Sequence, residues 1–333
     1  MKRRVLRWLR VAAAFGLLGA VVALAGPARV LEALRGADPG WLALGLASNV
    51  VANTFSALRW RELARWFGMT APRLWAVATY FHGVAVNALL PGAVVGGDML
   101  RAYALQRLGH PGLDAGMSVL LDRLSGLWML CVLGLVAIAW GADSESARAL
   151  AAHWPALAGS PLAQTALLLA LAALVGPWIG LMVLRRWLPK RDSPRLARLR
   201  TALRGGHAAP HYLAQIVLST IVQVLAIASL VCPARALGID IPFWAMAASA
   251  VPIFVFATLP VSFGGWGTRE AAAVLALGAF GISAATAVTI SMIYGLYALV
   301  QALGGLVPVP RVPQVPAGPR TPSASLSERA PHW

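Results

Sequence analysis

The stretch NALLPGAVVGGDMLRAY, residues 87–103, interrupts an otherwise apolar part of the chain with a proline, paired glycines and charged side chains. A second stretch, ATLPVSFGGWGTREAAA, residues 257–273, repeats the pattern. In both, Leu-Pro precedes Gly-Gly, and an arginine follows the second glycine by four residues. Proline removes a backbone donor and glycine permits positive φ, so each stretch predicts a break between two half-helices. We expect these breaks at Pro91 and Pro260.

The composition around these breaks is that of an integral membrane protein. The 333 residues are 59% hydrophobic and 12% charged, with a mean hydropathy of +0.71, whereas a soluble domain is about 45–50% apolar and about 25% charged. Basic cytoplasmic loops explain the net charge of +16, because no aromatic residues alternate with the basic ones as on a nucleic-acid-binding surface. Two distant cysteines, Cys131 and Cys232, indicate neither a disulfide framework nor a metal site. We expect no cofactor.

Apolar runs comparable to one membrane crossing of about 20 residues divide most of the chain. The candidate spans are residues 8–25, 41–58, 75–90, 113–140, 162–184, 211–231, 243–261, 269–281 and 283–305. The first could be a signal peptide cleaved after residues 23–25, but the many later spans favour an uncleaved helix. The Pro- and Ser-rich segment 306–333 cannot bury a core, so we predict a transmembrane domain over 1–305 followed by a disordered cytoplasmic tail.

Basic residues in short loops predict the orientation, because lysine and arginine concentrate on the cytoplasmic side. The segments 1–10, 59–73 and 185–207 are rich in arginine, so we place them and both termini in the cytoplasm. This placement is self-consistent if 75–107 and 243–281 each enter and leave on one side. The predicted fold is therefore an all-α polytopic membrane protein with about six full spans plus two re-entrant helical hairpins in an inverted-repeat arrangement. The predicted location is a bacterial-type inner membrane.

The paired breaks also predict an anion site in the interior. Irregular backbone at membrane depth is tolerated only where protein or trapped water satisfies it, so the two turns should meet. Helix N-termini and glycine turns offer free N–H groups, and arginine offers a planar fork suited to phosphate. Asp98 and Thr268 are the predicted N-caps of the outgoing half-helices. The predicted lipid- and anion-binding residues are Gly96, Gly97, Asp98, Arg101, Asp122, Arg123, Gly264, Gly265, Gly267, Thr268, Arg269 and Glu270.

Six of these residues are ionisable, and they predict a balanced network inside the membrane. Three are acids and three are arginines: Asp98, Asp122, Glu270, Arg101, Arg123 and Arg269. Intramembrane charges are costly and usually pair or line a path. A lipid phosphate could replace one carboxylate as an arginine partner. Taken singly, each residue also has a structural interpretation, in which Arg101 snorkels to the interface and Asp122 and Arg123 lie beside it.

Polar residues elsewhere in the spans carry weaker signals. Asn49 and Asn53 share one helix face, and we expect them to hydrogen-bond between helices and to serve packing. His82 and Asn87 lie in the first hairpin and are candidates to line a cavity.

Three stretches of the sequence resemble the signatures of the lysylphosphatidylglycerol synthase transmembrane family, also described as flippase-like membrane proteins. They are LLPGAVVGGDMLRAY, LDRLSGL and LPVSFGGWGTREAA, and the resemblance covers about residues 10–305. In bifunctional members, a cytoplasmic domain follows that transfers lysine from charged tRNA to phosphatidylglycerol. Only a short tail follows residue 305, so the resemblance implies the lipid-translocating half alone.

The resulting prediction is a non-enzymatic, flippase-like lipid transporter that binds an anionic, phosphate-bearing headgroup between two broken-helix hairpins. The expected partners are anionic membrane lipids and an enzyme of lipid biosynthesis, with no nucleic acid. One alternative is an enzyme acting on a membrane lipid, although the histidines are scattered and form no nucleophile–base cluster. The other is a scaffold of a hopanoid or polyprenyl-carrier pathway that presents the basic loop 185–207.

Overall fold

The structure of the chain, a computed structural model, covers most of the segments predicted to lie in the membrane. It describes residues 23, 28, 31–32, 35–89, 94–142, 162–187, 205–259, 265–305 and 308–310. Several predicted features lie outside the described residues: nearly all of the span 8–25, the breaks at Pro91 and Pro260, Gly264 and most of the tail 306–333.

The described residues form helices joined by turns, with no β-sheet among them. The helices are α1 (Pro39–Trp66), α2 (Arg73–Leu89), α3 (Val94–Arg107), α4 (Gly112–Gly141), α5 (Leu162–Trp187), α6 (Gly205–Ala236), α7 (Phe243–Ala257), α8 (Thr268–Gly278) and α9 (Ala284–Gly304). Five of them, α1, α4, α5, α6 and α9, are long and apolar enough to cross a membrane. The chain is therefore an all-α polytopic membrane protein, as the composition predicts. The remaining four have 17, 14, 15 and 11 residues, fewer than the about 20 that one crossing needs.

The two halves of the chain use the same turns in the same order. α1 and α6 are each followed by a glycine with positive φ, Gly68 (φ 77°) and Gly238 (φ 73°). In both turns the backbone N–H of the residue after the glycine donates to the carbonyl five positions earlier. α3 and α8 are followed by the same turn at Gly109 (φ 93°) and Gly281 (φ 77°). A long helix, two short helices and a second long helix therefore occur twice, as α1–α4 and as α6–α9.

The halves join mainly through α1 and α6, which pack along each other. Three hydrogen bonds join the two helices: Ser48–Leu225, Arg59–Ser219 and Glu62–His211. From the first pair to the last, the residue number increases in α1 and decreases in α6. The two helices are therefore antiparallel. The short helices then cross between halves, because α2 packs on α9 and α7 packs on α4. This exchange brings the hairpins α2–α3 and α7–α8 into one interior.

Helix α5 precedes the second half and lies at the edge of the bundle. Its main contact is with α4, and Ala166 and Ala170 are its buried residues. Leucines such as Leu168, which is 66% exposed, cover much of the remaining surface. An apolar exposed surface of this kind suits contact with lipid chains.

Candidate functional site

The first hairpin is held closed by a direct contact between its two helices. A Cβ atom added at Gly97 would overlap the carbonyl oxygen of Gly83, so α3 approaches α2 at a distance that only glycine allows. The Asn87 side-chain oxygen also accepts a hydrogen bond from the Gly97 N–H at 2.9 Å. The predicted N-cap role of Asp98 is wrong, because α3 begins at Val94 and Asp98 lies in its second turn.

Arg101 of α3 lies inside the protein and is 2% exposed. Its guanidinium group donates to Asp98 at 2.7 Å and to Asp122 of α4 at 2.8 Å. The same group lies over the rings of Tyr80 and Trp60, at 4.7 and 5.3 Å from their centroids. Ion pairing and cation–π contacts therefore satisfy Arg101 at depth, and the snorkelling interpretation does not apply to it.

Asp122 binds a second arginine, Arg59 of α1. The Arg59 Nε atom donates to the other carboxylate oxygen at 2.9 Å, and Nη2 donates to the Asp122 backbone carbonyl at 3.1 Å. Ser219 of α6 accepts from the Arg59 Nη1 atom at 3.3 Å. Arg59 is 4% exposed. It was predicted in the loop 59–73, and this assignment is wrong, because α1 continues to Trp66.

The third arginine of this cluster is Arg123, which binds both carboxylate oxygens of Asp98. Arg123 Nε lies 2.9 Å from Oδ2, and Nη2 lies 2.9 Å from Oδ1. The Arg123 side chain is 40% exposed and that of Asp98 is 21% exposed. This pair is consequently the accessible end of a chain of charges that continues inward through Arg101 to Asp122.

The second hairpin holds a more compact ion pair at the start of α8. Arg269 donates to Glu270 Oε1 at 2.7 Å, and the Ser291 hydroxyl donates to the same oxygen at 2.9 Å. The other oxygen of Glu270 accepts from the Gly267 N–H at 2.6 Å. Gly267, at φ 84°, is the N-cap of α8, so the predicted cap Thr268 is wrong. Glu270, the third residue of α8, supplies the carboxylate that binds the N-cap N–H.

Residues of both hairpins meet at one cavity of about 300 Å³. Four of the predicted site residues line it: Asp98, Arg101, Arg123 and Arg269. An adjoining cavity of about 200 Å³ is lined by Arg59, Asp122 and Arg123. Gly96, Gly97, Gly265, Gly267, Thr268 and Glu270 are not among the lining residues. Gly97 allows the close contact between α2 and α3, Gly265 and Gly267 adopt positive φ at the start of α8, and Glu270 binds Arg269.

Comparison with known proteins places this architecture in a family. A family model described as the lysylphosphatidylglycerol synthase TM region matches residues 7–305. The chain belongs to this family. A UPF0104 membrane protein from Methanothermobacter thermautotrophicus is 27% identical over 107 residues, which are 32% of each protein. The match thus spans about a third of that relative's length.

The three stretches that carry the sequence resemblance come together at the cavities in this chain. The first supplies Asp98 and Arg101, the second supplies Asp122 and Arg123, and the third supplies Arg269. Segments far apart in the sequence therefore build one charged interior.

The predicted balance of three acids and three arginines is wrong, because Arg59 is part of the same cluster. Among the residues that the structure describes, the ion pairs of the cluster contain four arginines and three carboxylates, which leaves one surplus positive charge. The surplus belongs to the first hairpin and its neighbours, since Arg269 and Glu270 balance each other. The sequence did carry a signal for Arg59: after Asn53, the first glycine or proline that could end α1 is Gly68.

Amide side chains form the uncharged side of the cavities. Asn53 donates to Gln301 of α9 at 2.7 Å, and Asn49 donates to Ser229 of α6 at 3.1 Å. The predicted hydrogen bonding between helices is confirmed, and both asparagines also line the two cavities. Asn87 lines the larger cavity, as the sequence suggested. His82 is not among the lining residues, and its ring contacts the backbone carbonyl of Ala78 at 2.8 Å.

Proposed function

We propose that the chain binds the phosphate-bearing headgroup of an anionic lipid between its two hairpins and moves that lipid across the membrane. The observation that carries this proposal is that Arg101 and Arg269, from matching positions of the two hairpins, line one cavity. The surplus positive charge supports a negatively charged ligand, because a buried charge without a counter-charge is costly.

Arg123 is the arginine best placed to receive the phosphate. Its side chain is 40% exposed, whereas Arg101 and Arg269 are 2% and 3% exposed. Two oxygens of a phosphate match the bidentate geometry that the Asp98 carboxylate now offers to Arg123. When the phosphate takes these donors, Asp98 keeps Arg101 as its partner.

Transport in this proposal depends on an inverted-topology repeat with two re-entrant hairpins. The repeated turns and the antiparallel packing of α1 and α6 support it. The distribution of basic residues supports cytoplasmic termini, and with that orientation the two hairpins would enter from opposite faces. A cavity between such hairpins can open to either side in turn, and the headgroup then avoids the hydrocarbon core.

The test is leaflet exchange in liposomes that contain the full chain and a fluorescent phosphodiester lipid. We expect an anionic lipid to exchange several-fold faster than a zwitterionic lipid with the same chains, and Arg123→Gln to remove most of this difference. Arg235→Gln is the matched control, because Arg235 is 38% exposed and also pairs with an aspartate, Asp240. Equal rates in the two variants, or a chemically altered lipid after incubation, would contradict the proposal.

A further inference from the structure

A second, apolar groove lies on the other side of α4 from the charged cavities. Its volume is about 700 Å³, within the about 300–1,000 Å³ of small-ligand sites. It lies between α1, α4, α5 and α6, and its lining includes Met117, Leu127, Trp128, Pro177, Leu181 and Tyr212. Nearly all of these side chains are apolar or aromatic, so the groove suits a hydrocarbon ligand.

The groove is built around a proline in α5. Pro177 has no N–H, so the carbonyl of Ala173, one turn earlier, loses its helical partner. The indole N–H of Trp128 donates to this carbonyl at 2.6 Å. The hydroxyl of Tyr212 donates to the neighbouring Leu174 carbonyl at 2.6 Å. Because their polar ends are bound to α5, both rings can present apolar surface to the groove.

The groove adjoins the proposed headgroup site at a single helical turn. Leu127 lines both the groove and the cavity that contains Arg59, Asp122 and Arg123. Arg123 and Leu127 are four residues apart in α4 and therefore lie on neighbouring parts of one face. A molecule with its charged end at Arg123 can extend past Leu127 into apolar surroundings.

The dimensions of the groove correspond to one hydrocarbon chain. Its α4 wall runs from Met117 to Trp128, about 16 Å at the helical rise, which is close to half of the about 30 Å hydrocarbon thickness of a bilayer.

We propose that this groove binds one hydrocarbon chain of the same anionic phosphodiester lipid whose phosphate lies at Arg123. The inference rests on the proposed function and deepens it, because it assigns the chain as well as the headgroup. The groove fixes one chain against α4 and α5, and the headgroup reaches the charged cavities around Leu127.

The test uses the full chain in liposomes with a phosphodiester lipid that carries a diazirine in the middle of one acyl chain. After illumination, we expect adducts on the groove-facing parts of α4 and α5. Leu181→Trp fills the groove and should lower this labelling at least fivefold. Leu168→Trp is the matched control, because it adds the same bulk to the same helix at an exposed position that is not part of the groove lining, and it should leave groove labelling unchanged.

The outcomes separate this inference from the function on which it rests. Labelling spread evenly over α5, including the surface around Leu168, or labelling unchanged by Leu181→Trp, would identify annular lipid and overturn the inference. The proposed function would stand if anionic lipid still exchanged in an Arg123-dependent manner. Equal groove labelling by anionic and zwitterionic lipids, unchanged in Arg123→Gln, would instead remove the headgroup site.

Discussion

Arg59 and Asp122 are 63 residues apart in the sequence, yet the Arg59 Nε atom lies 2.9 Å from an Asp122 carboxylate oxygen in the interior. Asp122 uses its second oxygen for Arg101 at 2.8 Å. One carboxylate thus binds arginines from two other helices and fixes α1, α3 and α4 relative to one another. This shared contact is the structural centre of the proposed headgroup site.

Asp122→Asn should strongly destabilise the protein. Asp122 is 1% exposed, and its loss leaves Arg59 and Arg101 buried without enough counter-charge. Breaking such a pair costs about 3–5 kcal/mol. Thermal unfolding in detergent measures the effect. Asp240→Asn is the control, because its carboxylate is 78% exposed and its change should stay within about 0.5 kcal/mol. Similar losses in both variants would show that Asp122 is not a special contact.

Arg59→Met should preserve the fold better than Asp122→Asn but weaken anionic lipid binding. Without Arg59, the cluster has three arginines and three carboxylates, so the attraction for a negative ligand falls. We expect affinity for an anionic phosphodiester lipid to fall at least tenfold, or about 1.4 kcal/mol, in a titration with lipid nanodiscs. Arg65→Met is the control, since the Arg65 side chain is 51% exposed and pairs with Glu62. Wild-type affinity in the Arg59 variant would refute the surplus-charge argument.

Gly97→Ala should open the first hairpin. The added methyl group meets the carbonyl oxygen of Gly83 and the side chain of Asn87, so the two helices must separate. Overpacking of this kind costs about 1–3 kcal/mol. Gly116→Ala is the control within α4, because no atom lies within 4 Å of its added Cβ and the change should stabilise the helix by up to about 1 kcal/mol. If both variants unfold at the same temperature, the close approach of α2 and α3 is not required.

Trp128→Phe and Pro177→Ala should be coupled. The phenylalanine variant leaves the carbonyl of the half-buried Ala173 without its donor, and an unsatisfied carbonyl in apolar surroundings costs about 1–3 kcal/mol. In the Pro177→Ala background, residue 177 regains an N–H that can bind this carbonyl, so the cost of Trp128→Phe should shrink by more than about 0.5 kcal/mol. A double-mutant cycle of unfolding free energies measures the coupling, and additive effects would contradict this origin of the groove.

Local sequence signals predicted six ionisable residues of the site but not all of their ion-pair partners. Arg101 pairs with Asp98 three residues away, a spacing that any helix brings together. The contact of Asp122 with Arg59 depends on the packing of α1 against α4, which no local pattern encodes. Because Arg59 was assigned to a cytoplasmic loop, the predicted span ended at residue 58 and Arg59 was not among the predicted site residues. The number of basic residues indicates on which side of the membrane a segment lies, whereas Gly68 indicates where the helix ends.

The predicted caps failed for a related physical reason. A carboxylate or hydroxyl caps a helix when its own residue precedes the first turn. Asp98 lies inside α3 and is bound by Arg101 and Arg123, so its oxygens are committed elsewhere. At α8 the Gly267 N–H is bound by Glu270, three residues further along. The Pro and Gly stretches fall between the two short helices of each pair, while competition among polar partners decided the caps.

Helix α5, which joins the first half to the second, has a consequence for how the two halves are oriented. In the proposed topology α1 and α4 contribute an even number of crossings, so a second copy attached directly to α4 would start on the side where α1 starts and point the same way. One additional crossing reverses that parity. In this topology α5 supplies the additional crossing, so the second half would have the opposite orientation in the membrane, and the same helix provides a wall of the apolar groove.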